Sequence, residues 1–139
     1  MNDNPTVAGG WLGTYHYNHV SMKPVRFEAT FSSPDRTGRF PGRILDDNYL
    51  GEASVSGTQT NRLVVFTKRY LNAHKSTIQY EGRISDDGRI MTGSWRVRSI
   101  TGTWEARRLW HEDVNEEREA DPADAVAGRP LVVVGIYEL

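Results

Sequence analysis

Two charged residues, Asp46 and Lys68, stand at positions where an alternating apolar pattern places side chains inside the protein. Asp46 continues the phase of Ile44 and Lys68 continues that of Phe66, whereas nearly all arginines fall in the opposite phase. Because a buried unpaired charge is costly, each must reach water, a partner or a ligand. Two interpretations stay open: both residues meet solvent at strand ends, or they serve an interior site as acid, base or hydrogen-bond donor.

Aromatic side chains share that inward phase. A single buried tyrosine usually fills core volume and hydrogen-bonds locally, but several of them around a lysine indicate more. A mostly apolar pocket with few polar anchors is the usual form of a small-molecule site. The predicted ligand-binding residues are Tyr15, Tyr17, Phe66, Lys68, Tyr70, Tyr80, Trp95 and Trp104, with His74 and Thr77 near the mouth of the pocket.

No other chemistry has a recognisable pattern. His16 and His19 lie three residues apart on a strand and its turn, so they point to opposite faces and would chelate a metal poorly. The sequence has no phosphate-binding glycine loop and no nucleophile elbow, and no helix follows GGWLGTY. We therefore expect no metal and no cofactor.

The elements that position these residues are predicted to be β-strands. Apolar and small residues recur at every second position through most of residues 10–109, and short runs of turn-forming residues separate them. This pattern predicts an all-β protein with an eight-stranded antiparallel up-and-down β-barrel, which has room for side chains or one small ligand. The predicted strands are 10–18, 25–32, 38–46, 50–57, 62–71, 77–85, 89–98 and 102–109.

The 139 residues predict one folded domain with distinct ends. An N-terminal arm covers residues 1–9, the barrel 10–110, an acidic linker 111–130 and an apolar, β-prone strand 131–139. Exposed to water, LVVVGIYEL would promote aggregation. We expect this strand to be buried against the barrel, paired with a strand edge, or exchanged with a second subunit to form a homo-oligomer.

Charge and hydropathy limit the partners. Residues 1–110 hold 15 Lys and Arg against 10 Asp and Glu, while residues 111–139 hold 2 against 8, which predicts a solvated acidic tail. No run approaches the ~20 apolar residues of a membrane helix, and the first residues lack a signal-peptide pattern. We therefore expect a cytoplasmic protein without a membrane partner.

Two sequence features resemble a known group of barrels. Gly10-Trp11 opens the first strand, and a Gly-Trp start that plugs one barrel end is typical of the calycin superfamily, which comprises lipocalins, fatty-acid-binding proteins and avidins. The run YLNAHKST at 70–77 resembles the Tyr-x-Asn-Ala-His-Ser-x-Thr stretch between the fifth and sixth strands of streptavidin. Trp95 and Trp104 also fall where the avidin family places tryptophans. The resemblance implies a calycin barrel closest to the avidin family.

The resemblance does not extend to the biotin site. Thr77 matches a biotin-contacting threonine, but the other matched positions differ and the final-strand aspartate has no counterpart. The departures are Phe66 for a tryptophan, Lys75 for a contacting serine, Gly13 for the first-strand asparagine, and Ile44 and Asp46 for a tyrosine and a serine. Biotin binding is therefore not expected.

The function that these observations favour is the binding of a small, largely apolar molecule inside the barrel. An alternative is a cofactor-independent isomerase or cyclase that holds a biosynthetic intermediate in the same cavity, with Lys68 or Asp46 as catalytic residue. Single-stranded nucleic-acid binding is the least favoured. It needs aromatic and basic side chains on one surface, and here the aromatics point inward while the arginines point outward.

Overall fold

The computed structural model describes residues 4–19, 21–72 and 77–111, so His74, Lys75 and the predicted linker and C-terminal strand lie outside the described residues. The described chain forms a closed barrel in which each strand pairs antiparallel with its neighbours in sequence and β8 closes onto β1. This confirms the predicted eight-stranded up-and-down barrel. Its strands are β1 (Gly9–Tyr17), β2 (Val25–Phe31), β3 (Arg39–Asp46), β4 (Glu52–Thr60), β5 (Leu63–Tyr70), β6 (Thr77–Ile84), β7 (Ile90–Val97) and β8 (Ile100–His111).

Closure of the barrel bears on how a further strand could attach. Every described strand is paired on both sides, so the barrel offers no free edge to which the strand predicted at 131–139 could add. None of the described residues belongs to a helix long and apolar enough to cross a membrane.

The strand ends differ from the predicted ones by a few residues. β4 runs to Thr60 and β8 begins at Ile100, because the backbone ladder continues past the point where the apolar alternation stops. Two-residue connections then join β4 to β5 and β7 to β8. Their first residues, Asn61 (φ 57°) and Arg98 (φ 56°), adopt the left-handed conformation that tight hairpins require.

The interior follows the predicted phase. All buried apolar side chains of the strands belong to the predicted inward register, because successive side chains of a strand point to opposite faces. Tyr17, Val25, Ile78 and Val97 are partly buried and pack against this core. Val7 is the unexpected member: sequence analysis placed it in the N-terminal arm, but its side chain is fully buried.

One end of the barrel, here called the base, is where β1 begins and β8 ends. The N-terminal arm covers it, and Trp11 beneath the arm is fully buried and donates its indole N–H to the carbonyl of Val7 at 3.0 Å. The Arg108 guanidinium stacks 4.3 Å from the Trp11 ring and donates to the carbonyls of Ala8 at 2.7 Å and Gly88 at 2.8 Å. The base is therefore closed by side chains and backbone.

The opposite end, here called the mouth, carries the connections 18–24, 47–51, 71–76 and 98–99. No chain segment among the described residues crosses it in the way that the N-terminal arm crosses the base. The inward-facing polar side chains lie at this end, because Asp46 and Tyr70 are the last residues of β3 and β5.

Candidate binding site in the mouth half of the barrel

Asp46 and Lys68 form an ion pair inside the barrel. They lie on β3 and β5, which both flank β4, and their side chains are almost fully buried. Lys68 Nζ donates to Asp46 Oδ1 at 2.8 Å and to Oδ2 at 3.0 Å. The interpretation in which both residues meet solvent at strand ends is therefore wrong, because each charge is instead satisfied by the other.

Two tyrosines complete the coordination of this pair. The hydroxyls of Tyr15 (at 3.0 Å) and Tyr70 both donate to Asp46 Oδ2, so the carboxylate accepts four hydrogen bonds. Lys68 Nζ also lies 4.8 Å from the ring centres of Tyr15 and Tyr70 and 5.6 Å from that of Tyr80, within range of cation–π attraction. The cluster of Asp46, Lys68, Tyr15 and Tyr70 is called the polar cluster below.

Burial determines the protonation of the polar cluster. Burial, and after it the charge of Asp46, raises the pKa of Tyr15 and of Tyr70 well above the usual value. Both phenols therefore stay protonated at neutral pH and remain hydrogen-bond donors. Burial lowers the pKa of Lys68, while the charge of Asp46 and its hydrogen bonds oppose that change.

Tyr80 carries a buried hydroxyl for which the described residues offer no hydrogen-bond partner. Its side chain is buried, and its ring stacks on Phe66 with 4.7 Å between centroids. Its hydroxyl makes no hydrogen bond with any of the described residues, although buried hydroxyls are normally paired. Burial, and after it the charge of Asp46, raises the pKa of Tyr80, so the hydroxyl keeps its proton and can donate. The ring centre lies 5.6 Å from Lys68 Nζ of the polar cluster.

Trp95 and two tyrosines form an aromatic wall toward the mouth. The Trp95 ring lies 5.9 Å from the Tyr15 ring and 5.1 Å from the Tyr17 ring, each contact edge to face. The indole N–H donates to the carbonyls of His16 and Thr103, which holds the ring in place. A Cβ on the facing Gly102 would stand 2.4 Å from the Trp95 ring, so glycine is needed for this position.

The structure separates the remaining predicted residues from this wall. Phe66 and Trp104 are buried deeper, where Phe66 contacts Phe31 at 5.4 Å and Trp104 at 5.9 Å between centroids. They form the floor of the mouth half. Thr77 begins β6 at the mouth but pairs with the exposed Arg69, so it lies in the outward register and is not brought together with the others.

The interior also lacks space for a side chain larger than glycine at position 13, where the avidin family has an asparagine. The position of a Cβ on Gly13 is 2.4 Å from the ring of Phe27, so Phe27 fills the volume that a larger side chain at 13 would occupy. Among the described residues no group of three or more His, Cys, Asp or Glu could hold a metal ion.

Sequence reasoning missed one residue that matters to the architecture and one property of a residue that it had predicted for the site. Arg108 lies in phase with Trp104 and Ala106, so its inward position was readable, but sequence analysis did not single it out. Nothing in the sequence marked Tyr80 as the tyrosine whose hydroxyl has no hydrogen-bond partner in the described part of the chain, because that depends on where Asp46 lies.

Comparison with models of protein families and with curated proteins yields no match. What the structure establishes is therefore the architecture: a closed eight-stranded antiparallel barrel, consistent with a calycin-like fold.

Proposed function

We propose that the mouth half of the barrel binds one small, uncharged and mostly apolar molecule that carries a hydrogen-bond acceptor. The observation that supports this most is the buried hydroxyl of Tyr80, which makes no hydrogen bond with the described residues, on a ring whose centre lies 5.6 Å from Lys68 Nζ of the polar cluster. A ligand oxygen would supply the missing acceptor.

The charge of the site favours an uncharged ligand. Asp46 and Lys68 neutralise each other at 2.8 Å, so a charged ligand would have no counter-charge inside the barrel. Burying such a charge costs several kcal/mol, of the order of the effective penalty per buried ion. The aromatic wall of Tyr15, Tyr17 and Trp95 favours an apolar or planar molecule.

The Tyr80 hydroxyl determines which kind of ligand atom can bind beside it. Tyr80 keeps its proton because burial raises its pKa, so it can donate to a carbonyl or ether oxygen. We also propose that this calycin-like barrel is related in its fold to the avidin family, and the binding of a small molecule accords with that relation. The interior is not suited to biotin, since Gly13 and Phe27 leave no room for the asparagine at that position.

A second candidate is the cofactor-independent isomerase or cyclase. Tyr70 favours it, because this residue is the one member of the polar cluster that is partly exposed, and its hydroxyl bonds to Asp46. A substrate held in a reactive shape would meet Tyr70 as donor, with Asp46 and Lys68 beneath it. Conversion of an added compound, abolished by Tyr70→Phe, would distinguish this activity from binding alone.

The direct test is native mass spectrometry of the freshly purified full chain, followed by extraction and identification of any retained molecule. The proposal expects a neutral compound with a carbonyl or ether oxygen that rebinds with a change in tryptophan fluorescence. Rebinding should weaken about tenfold in Tyr80→Phe, the loss of one hydrogen bond. A retained molecule with net charge, or equal rebinding by Tyr80→Phe and the parent protein, would contradict it.

A further inference from the structure

Four large apolar side chains are exposed around the mouth. One lies in or directly beside each of the four connections at that end, and Tyr49 is the most exposed at 91%. We call the set Met22, Tyr49, Leu71 and Ile100 the mouth surface. The other exposed large apolar residues among those described, Ile90 and Leu109, lie toward the base. Apolar exposure that clusters at one end usually marks an interaction site.

The same end is positively charged. Glu52 is half-buried and paired with Arg43, and Asp47 is the exposed acid of the described mouth connections. The exposed cations near the mouth are Lys23, Arg26, Arg69, Arg96 and Arg98. The base also carries cations, but its described connections hold three exposed acids, Asp35, Asp86 and Asp87, beside Arg36, Arg89 and the partly buried Arg62. The partner of the mouth surface should therefore carry negative charge.

We propose that the mouth surface docks on a lipid bilayer that contains anionic lipids. Apolar side chains such as Leu71 and Ile100 would enter the boundary between headgroups and acyl chains, and the surrounding cations would contact phosphates. Tyrosine is also enriched at this interface, where Tyr49 would lie. A second copy of the chain docked mouth to mouth is disfavoured, because it would bring two cationic surfaces together.

Peripheral docking needs no membrane-spanning segment. The sequence expectation of no membrane partner rested on the absence of a spanning run, which does not bear on a surface of loops. The inference is independent of the proposed ligand: it rests on exposed residues, whereas ligand binding rests on the buried Tyr80 and Trp95. Docking would nevertheless place the mouth of the barrel against a source of apolar molecules.

The experiment is co-sedimentation of the full chain with vesicles of pure phosphatidylcholine and of phosphatidylcholine with 30% phosphatidylserine, a composition of our choosing that gives about the surface charge of an anionic leaflet. The double variant Tyr49→Ser/Leu71→Ser removes apolar contacts from the mouth, and Ile90→Ser/Leu109→Ser is the matched control toward the base. A third variant, Arg96→Gln/Arg98→Gln, removes two cations, and Arg36→Gln/Arg39→Gln is its control.

The proposal expects binding to the anionic vesicles that weakens with added salt. Both mouth variants should lose at least tenfold in partition coefficient, about fivefold for each cation removed, while both control variants bind like the parent chain. Absence of binding to anionic vesicles, or equal losses in mouth and control variants, would overturn it. Loss of self-association in the mouth variants without any vesicle binding would identify a second copy as the partner instead.

Discussion

Lys68 Nζ lies 2.8 Å from Asp46 Oδ1 and 3.0 Å from Oδ2, inside a barrel where both side chains are removed from water. The two residues belong to β3 and β5, which do not pair with each other, so the ion pair spans β4. Taking both charges out of water is costly, and the pair persists because two tyrosine hydroxyls and three aromatic rings complete its surroundings.

Removing one member of this pair should destabilise the protein strongly. In Lys68→Met the Asp46 carboxylate stays buried without its counter-charge, and we expect the free energy of unfolding to fall by about 3–5 kcal/mol. The double variant Asp46→Asn/Lys68→Met removes both charges and leaves an amide oxygen for the tyrosine hydroxyls, so it should lose less than the single variant. Urea denaturation followed by tryptophan fluorescence measures these differences.

The matched control for that prediction is the exposed pair of Arg43 and Glu52. Arg43 is exposed and Glu52 is only half-buried, so solvent screens their attraction, and Arg43→Met should change the free energy of unfolding by less than about 1 kcal/mol. Equal effects of Lys68→Met and Arg43→Met would show that the buried pair is not electrostatically significant.

Two tyrosine-to-phenylalanine variants should separate stability from binding. Tyr15→Phe removes a donor to Asp46 and should lower the free energy of unfolding by about 1.5–3 kcal/mol, as expected for a hydrogen bond to a charged group. Tyr80→Phe removes a hydroxyl without a partner among the described residues, so the ligand-free protein should keep or slightly gain stability. A large loss of stability in Tyr80→Phe would place an acceptor for that hydroxyl within the protein itself.

Stability should fall steeply in alkali. The pKa values of Tyr15, Tyr70 and Tyr80 are raised in the folded protein, so above about pH 10 the unfolded chain releases phenolic protons that the folded chain retains. Each of these tyrosines then lowers the free energy of unfolding by about 1.4 kcal/mol per pH unit. Lys68 has the opposite effect, because its pKa is lowered in the folded protein. It makes the free energy of unfolding rise with pH, but only up to the pKa of an unfolded lysine, about 10.4.

The measurement is urea denaturation at intervals between pH 8 and pH 12, with phenolate absorbance near 295 nm recorded in parallel, both ordinary choices for tyrosine ionisation near its pKa of about 10. Tyr15→Phe should reduce the slope above pH 10.5 by roughly the share of one tyrosine. A free energy of unfolding that stays level over that range would contradict the buried, protonated phenols.

Arg108 should hold the base closed. Arg108→Met removes the donor to the carbonyls of Ala8 and Gly88 and the cation over Trp11, and we expect a loss of about 3 kcal/mol with faster amide exchange in residues 4–8. Arg107→Met is the control, because that neighbouring side chain is exposed and its replacement should stay within about 0.5 kcal/mol. Equal exchange in the two variants would mean that the arm is held by other contacts.

The local sequence pattern was enough to predict the strands and the residues of the core. Apolar residues at every second position separate an inner from an outer face, since the side-chain period of a strand is two, and this placed Phe66, Lys68, Tyr80 and Asp46 inside without any coordinates. Short connections rich in turn formers made antiparallel neighbours the natural order. Thr77 was predicted from the family resemblance and not from phase, and its phase is outward, as its pairing with the exposed Arg69 shows.

Closure of the barrel determined which inward side chains contact each other, which the phase of the strands alone does not specify. Asp46 and Lys68 are 22 residues apart on strands that do not touch, so only the curvature of the closed sheet brings their side chains together. It likewise leaves the Tyr80 hydroxyl without a partner among the described residues, while the hydroxyls of Tyr15 and Tyr70 both donate to Asp46 Oδ2. Alternation specifies which face a side chain takes, whereas its neighbours across the interior depend on strand tilt and on which strands lie opposite.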